Sequence, residues 1–334
     1  MRSLEELIDA TAQAEDFSGV VRVDRHGTTE VAKAYGYADR AYGLANTVKT
    51  QFGTASVTKG FTALTVMVLV EEGRLDLSTT ARSLLGEDLP EIADNVTVEH
   101  LLAHRSGIGD YLDEDGLDDM TDYPVPVPVH QLATPEDYLE VLTGHTTVFP
   151  AGEGFAYNNG GYVVLALLVE RAGGAGYHEQ VRRCVLEPAG MADTGFLRSD
   201  ELPRRAARGY LALDGLRTNV LHLPVVGVGD GGAYSTAADL HRLWEALHSG
   251  RIVSPDTAEL MVTPRSDWPA ESRRYGLGFH VHETGDAAWL EGYDAGVSCT
   301  SLHEPGQDVT YTVISNWTDG AWPIVELLNN QLGL

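Results

Sequence analysis

Two periodicities divide the chain. Residues 1–10 place apolar positions one helical turn apart among acidic ones, and residues 17–24 then alternate apolar and polar side chains. Turn-forming residues at 25–29 and a returning apolar–polar stretch at 30–39 predict a helix followed by a β-hairpin. From there to about residue 250 the period is mostly helical. The apolar run 61–70 stops at Glu71, Glu72 and Gly73, and further helical stretches lie at 98–104, 135–142, 162–172 and 237–244. Alternation returns at 275–282, 288–292, 297–302 and 309–316, and residues 321–332 close the chain as a helix. This order predicts an α+β fold: an antiparallel β-sheet flanked by N- and C-terminal helices, with an inserted, mostly helical lobe. The whole chain, 1–334, reads as one domain, with residues 1–57 and 250–334 forming the α/β lobe and 58–249 the helical lobe. Residues 111–133, acidic and proline-bearing, fit neither period. They read as a long loop, either a rim facing substrate or a solvated insertion.

Charge narrows the function classes. With 49 acidic and 23 basic residues the formal net charge is −26, which repels nucleic acid and anionic membranes, and no basic stripe offsets it. No run of 18 apolar residues occurs, and residues 1–10 lack the apolar core of a secretory signal, so a cytoplasmic protein is expected. Cys184 and Cys299 belong to no C-x-x-C or metal-ligand pattern. The pairs His100/His104 and His280/His282 have spacings that share a face, but neither carries an H-E-x-x-H pattern or a clear third ligand. No metal and no cofactor are expected, and the oligomeric state stays open.

The chemistry concentrates in Ser56-Val57-Thr58-Lys59, where a hydroxyl and an amine stand three residues apart at a helix start and therefore on one face. The chain has three lysines, Lys33, Lys49 and Lys59, and its other basic residues are arginine. An arginine cannot shuttle a proton at accessible pH, whereas a desolvated lysine can, so a lysine retained beside a serine points to an activated nucleophile.

Other blocks extend the pattern. Together with Ser56–Lys59, the segment His100 to Gly107 resembles an L-L-x-H-x-S-G block, and Tyr157-Asn158-Asn159 a Y-x-N motif. Further matching blocks lie at 188–194, 231–239 and 275–279. In this order they resemble the serine β-lactamase-like superfamily, nearest to class C enzymes, D,D-peptidases and related esterases. The resemblance implies a β-lactamase/transpeptidase-like fold, Ser56 as acylated nucleophile, and Lys59 and Tyr157 sharing the base and acid roles. It also implies that Asn159 orients Lys59 and the acyl side of the substrate. A small-molecule ester, amide or peptide is the implied partner.

The chain departs from the family at its third motif, normally K-T-G or H-x-G on a strand whose backbone completes the oxyanion hole. The corresponding segment is 291–298, with no lysine or histidine; Tyr293 is the nearest match to the missing group, with Asp294 beside it and Gly296 completing the substrate-contacting set. Backbone donation survives any side chain, but Asp294 repels a substrate carboxylate, so weak or absent β-lactam and D,D-carboxypeptidase activity is expected. An α/β-hydrolase is excluded because none of Ser56, Ser106 or Ser298 sits in a G-x-S-x-G frame. Two other readings remain: an acyltransferase or peptide cyclase using the same acyl-enzyme, and a non-catalytic binding or assembly module.

Overall fold

The computed structural model describes residues 2–112, 119, 121 and 125–333. Its largest feature is an eight-stranded antiparallel sheet. In spatial order the strands are Thr28–Tyr35, Gly19–Arg25, Val309–Ser315, Val297–Glu304, Ala288–Asp294, His280–His282, Arg273–Tyr275 and Ser266–Trp268. The N-terminal hairpin thus completes a sheet whose other strands come from the end of the chain, with Val21 opposite Val313.

Period-two alternation decides which core each strand feeds. Val21, Val23, Tyr311 and Val313 pack under the helices Leu4–Ala14 and Trp322–Leu332, against Ile8, Ile324 and Leu328. The intervening Val20, Ile314, Cys299 and Leu290 face the opposite core, shared with the helical lobe. The first helix begins where Ser3 and Glu6 cap each other's backbone amides, a local signal that fixes its start.

Two apolar helices, Thr58–Glu71 and Asn159–Gly173, pack together at the centre of the helical lobe. In the first, residues 58–67 and Leu69 are all buried, which accounts for its lack of a polar face. The Ala237–His248 helix, grouped by period with the helical lobe, packs on the sheet: His241 Nδ1 meets Asp24 Oδ2 at 2.7 Å, and Trp244 Nε1 donates to Ser301 Oγ at 2.9 Å.

The stretch 275–282, expected as one strand, is two. Gly276 donates its N–H to Phe279 O, and Gly278 at φ +91° turns the chain between them, a backbone state that glycine alone adopts at little cost. Most of the acidic part of the expected 111–133 loop lies outside the described residues; its described flanks, Tyr111, Leu112 and Val125, border the crevice.

Candidate active site

Ser56 sits in the single 3-10 turn Ala55–Val57 that leads into the Thr58–Glu71 helix. Ala55 holds φ +45°, a left-handed conformation that costs a non-glycine residue about 1–2 kcal/mol. The surrounding bonds hold it there: Thr58 Oγ1 donates to Ala55 O at 2.8 Å and accepts from Ala233 N at 3.0 Å, while Thr54 Oγ1 donates to Ala233 O at 2.8 Å.

One turn on, Lys59 is 1% exposed. Its Nζ lies 2.8 Å from Ser56 Oγ, 2.7 Å from Asn159 Oδ1 and 2.7 Å from the Asp230 main-chain oxygen. Two of these partners are carbonyl oxygens that can only accept, whereas the third is a hydroxyl that can accept or donate. A neutral amine would spend its two N–H bonds on the carbonyls and turn its lone pair to Ser56; an ammonium would spend its third N–H on the same oxygen. The geometry serves both ends of a proton transfer. The other lysines contrast with it: Lys33 pairs with Glu5 and Asp9 at the surface, and Lys49 is exposed.

Asn159 opens its helix, and the helix start is clamped. Asp110 accepts from Asn159 N at 2.6 Å and Gly160 N at 2.8 Å, and Asn158 Oδ1 accepts from Gly161 N at 2.6 Å. Burial raises the Asp110 carboxyl to about 6, against the lowering effect of those amides and of Lys59. Burial likewise raises the Asp230 carboxyl, whose side chain accepts the Tyr111 hydroxyl.

The Tyr157 ring faces Lys59 Nζ at 4.9 Å from its centroid. It is held among other rings: His104 at 4.4 Å, Trp268 stacked at 5.6 Å and His280 near-parallel at 6.3 Å. Burial keeps both histidines neutral, far below their usual range. His104 Nδ1 accepts from Asn158 N at 3.0 Å, tying the ring cluster to the helix start. The other histidines weighed as ligands serve turns and caps: His100 Nδ1 accepts from Thr97 N, and His282 Nδ1 from Gly285 N.

The strand Ala288–Asp294 passes Ser56 at Gly292. A Cβ there would lie 2.1 Å from Thr54 O and 3.1 Å from Ser56 N, so only glycine permits this approach. Aligning the glycine of the third motif with Gly292 puts that motif's first position two residues earlier, on Leu290 and not on Tyr293. Leu290 is apolar and packs where Gly60 leaves room at the helix start. The Tyr293 hydroxyl donates to Asp319 Oδ1 at 3.0 Å and its ring lies against Trp322. Asp294, next on the face shared by Leu290 and Gly292, lines the crevice and accepts from Ala295 N at 2.8 Å. Gly296 is a turn residue: φ is +75°, its N–H donates to Thr318 Oγ1, and a Cβ would collide with Gly209.

Ser56, Asn159, Tyr293 and Asp294 thus border one crevice, walled by Tyr111, Tyr138, Leu223 and Val225 among others. Sequence reasoning missed Asp110, the Asp230 carbonyl and the ring of Trp268. It weighed His280 only as a metal ligand and passed over Gly292 within the segment 291–298.

The sequence matches the Beta-lactamase family over residues 4–328. Among curated relatives, the putative penicillin-binding protein PbpX of Bacillus subtilis is 28% identical over 79% of this chain and 62% of its own length. Esterase EstB of Burkholderia gladioli is 30% identical over 83% of this chain and 77% of its own. The chain therefore spans less than two thirds of the length of PbpX. Among solved structures, a penicillin-binding protein from Bacillus halodurans superposes with a TM-score of 0.91 at 32% identity, covering 97% of this chain and 99% of that one. With the family matched from residue 4 to residue 328 and one fold shared end to end with a solved relative, this chain belongs to the β-lactamase family.

Proposed function

We propose that the protein is a serine hydrolase working through an acyl-enzyme on Ser56, with a small ester as its favoured substrate and a D-amino acid amide or short peptide next. The observation that carries this reading is the position of Lys59 Nζ, buried between Ser56 Oγ and two carbonyl acceptors. As Ser56 Oγ attacks the acyl carbon, its proton passes to Nζ. The oxyanion formed is met by the Ser56 N–H and by the strand backbone at Gly292–Tyr293, a pairing supported by the contact of Gly292 with the nucleophile turn. Tyr157, facing Nζ, shares the return of the proton to the leaving group, and water then takes the acyl group from Ser56 by the reverse path.

Among the described residues no lysine or arginine lines the crevice, so no permanently charged side chain there pairs with the carboxylate of a penicillin or a peptidyl-D-alanine. That favours esters over those substrates, and the relative named as an esterase supports the same choice. The test is labelling with a fluorophosphonate alongside hydrolysis of nitrophenyl acetate. Wild type is expected to label at Ser56 and turn the ester over, and Ser56→Ala to do neither. Absence of both from the wild type would make the fold a binding module.

A further inference from the structure

Resting on the serine-hydrolase reading above, we propose that His104 is the positioning residue for Tyr157: it fixes the backbone on both sides of the tyrosine and so sets the phenol ring against Lys59. His104 grips the chain at two points. Its main-chain oxygen accepts from Ala156 N at 3.0 Å, and its ring Nδ1 accepts from Asn158 N at 3.0 Å. Tyr157 is the residue between them. Asn158 is extended, at φ −144° and ψ 113°, and in extended backbone the N–H groups of residues two apart point to one side. The imidazole also lies along the tyrosine, 4.4 Å between ring centroids, and the far side of the tyrosine is stacked on Trp268. A shift of Tyr157 along the chain, or a turn about it, breaks one of the two hydrogen bonds.

The imidazole is suited to holding and not to proton transfer. Because a backbone N–H can only donate, Nδ1 must present its lone pair to Asn158 N and the ring hydrogen must sit on Nε2. Nε2 finds no hydrogen-bond partner among the described residues, and the ring is 1% exposed among Phe155, Tyr162 and Tyr275. Packing alone would favour a carbon ring here, which strands no donor, so the acceptor on Nδ1 is the atom that an imidazole adds. The titratable groups that face the ring are Lys59, Tyr157, Tyr162, Tyr275 and His280. Burial, reinforced by the Lys59 charge, keeps the ring neutral. A proton on Nδ1 would point at Asn158 N–H and place a second cation beside Lys59, so His104 cannot carry a proton while it holds the tyrosine. Its influence on the reaction passes through the place of Tyr157.

Two variants separate the acceptor from the ring. His104 holds φ +55°, which asparagine tolerates, and asparagine Oδ1 can stand near the place of Nδ1, so His104→Asn keeps an acceptor and loses the ring. His104→Phe keeps a ring and loses the acceptor. On nitrophenyl acetate His104→Phe is expected to lose about 100-fold in kcat with KM within about threefold of wild type, and His104→Asn to keep kcat within about tenfold. If a thermal melt shows that His104→Phe does not fold, His104→Gly replaces it with the same expectation, since glycine also accepts this backbone. A second readout needs no turnover. In protein carrying carbon-13 at tyrosine Cζ, the Tyr157 resonance is assigned by its loss in Tyr157→Phe. Its pH midpoint should move by about one unit or more in His104→Phe and stay within about half a unit of wild type in His104→Asn. Wild-type kcat or an unmoved midpoint in folded His104→Phe overturns the proposal, as does a loss in His104→Asn as deep as in His104→Phe. If wild type turns over no ester, the hydrolase reading falls and the Tyr157 midpoint alone decides this one.

Discussion

The two walls of the crevice hold their chemistry in different ways. On the helix wall the polar groups near Ser56 are bonded, with Lys59 and Asn159 buried and Asp110 half-buried: Lys59 to three oxygens, Asn159 to Lys59, and Asp110 across the helix start. On the strand wall the side chains nearest Ser56 are apolar or missing, Leu290 against Gly60 and Gly292 against the turn, and charge begins only at Asp294. Proton transfer needs side chains aimed within tenths of an ångström, which a saturated hydrogen-bond network supplies. Oxyanion stabilisation by a strand needs only its backbone, so its side chains are free to set what the crevice accepts.

The contrast is sharpest for Lys59→Met, which keeps the bulk and removes the amine proposed to carry the proton. A loss of about 10³-fold in kcat/KM on a simple ester is expected. Stability should fall as well, because Asn159 Oδ1 and Asp230 O each lose a buried donor at roughly 1–3 kcal/mol; kinetics and a thermal melt read the two effects separately. Next comes Gly292→Ala. Its methyl group would lie 2.1 Å from Thr54 O, so strand and turn must part. A displacement of this kind costs on the order of 100-fold in rate. Full activity in this variant would show that the strand wall is dispensable and break the comparison outright.

The smallest effect concerns the clamp. Burial raises the Asp110 carboxyl to about 6, and protonation turns one of the two oxygens that accept helix N–H groups into a hydroxyl and weakens the clamp, so activity should drop a few-fold as pH falls below about 6, and Asp110→Asn should flatten that limb. The sign for stability is the opposite of a salt-bridged carboxylate. The folded state holds this proton more tightly than the unfolded chain, so the Asp110 contribution weakens as pH rises from about 4 to 6.

What could be read from the sequence follows the same division. Ser56 and Lys59 are three residues apart and announce themselves, and the order of helices and strands follows from period alone. Asp230 contributes a main-chain oxygen, which any residue type could supply, and Asp110 reaches a helix start 49 residues away, so neither carries a local sign. The third motif misled because its register is set by where glycine lets two backbones touch. That is a tertiary fact, and it moves the matching position from Tyr293 to Leu290. The single strand expected at 275–282 failed for a related reason, since alternation persists through a turn built on Gly276 and Gly278.

The sheet also has a history imposed by its order. The first hairpin borders strands from the far end of the chain, and Ser18 Oγ donates to Asn316 Oδ1 across 298 residues. At translation rates of about 5–20 residues per second, the hairpin waits on the order of 15–60 s for the strand that covers its open edge. Until that strand emerges, the hairpin carries a row of unpaired backbone N–H and C=O groups along the edge that Val309–Ser315 later covers.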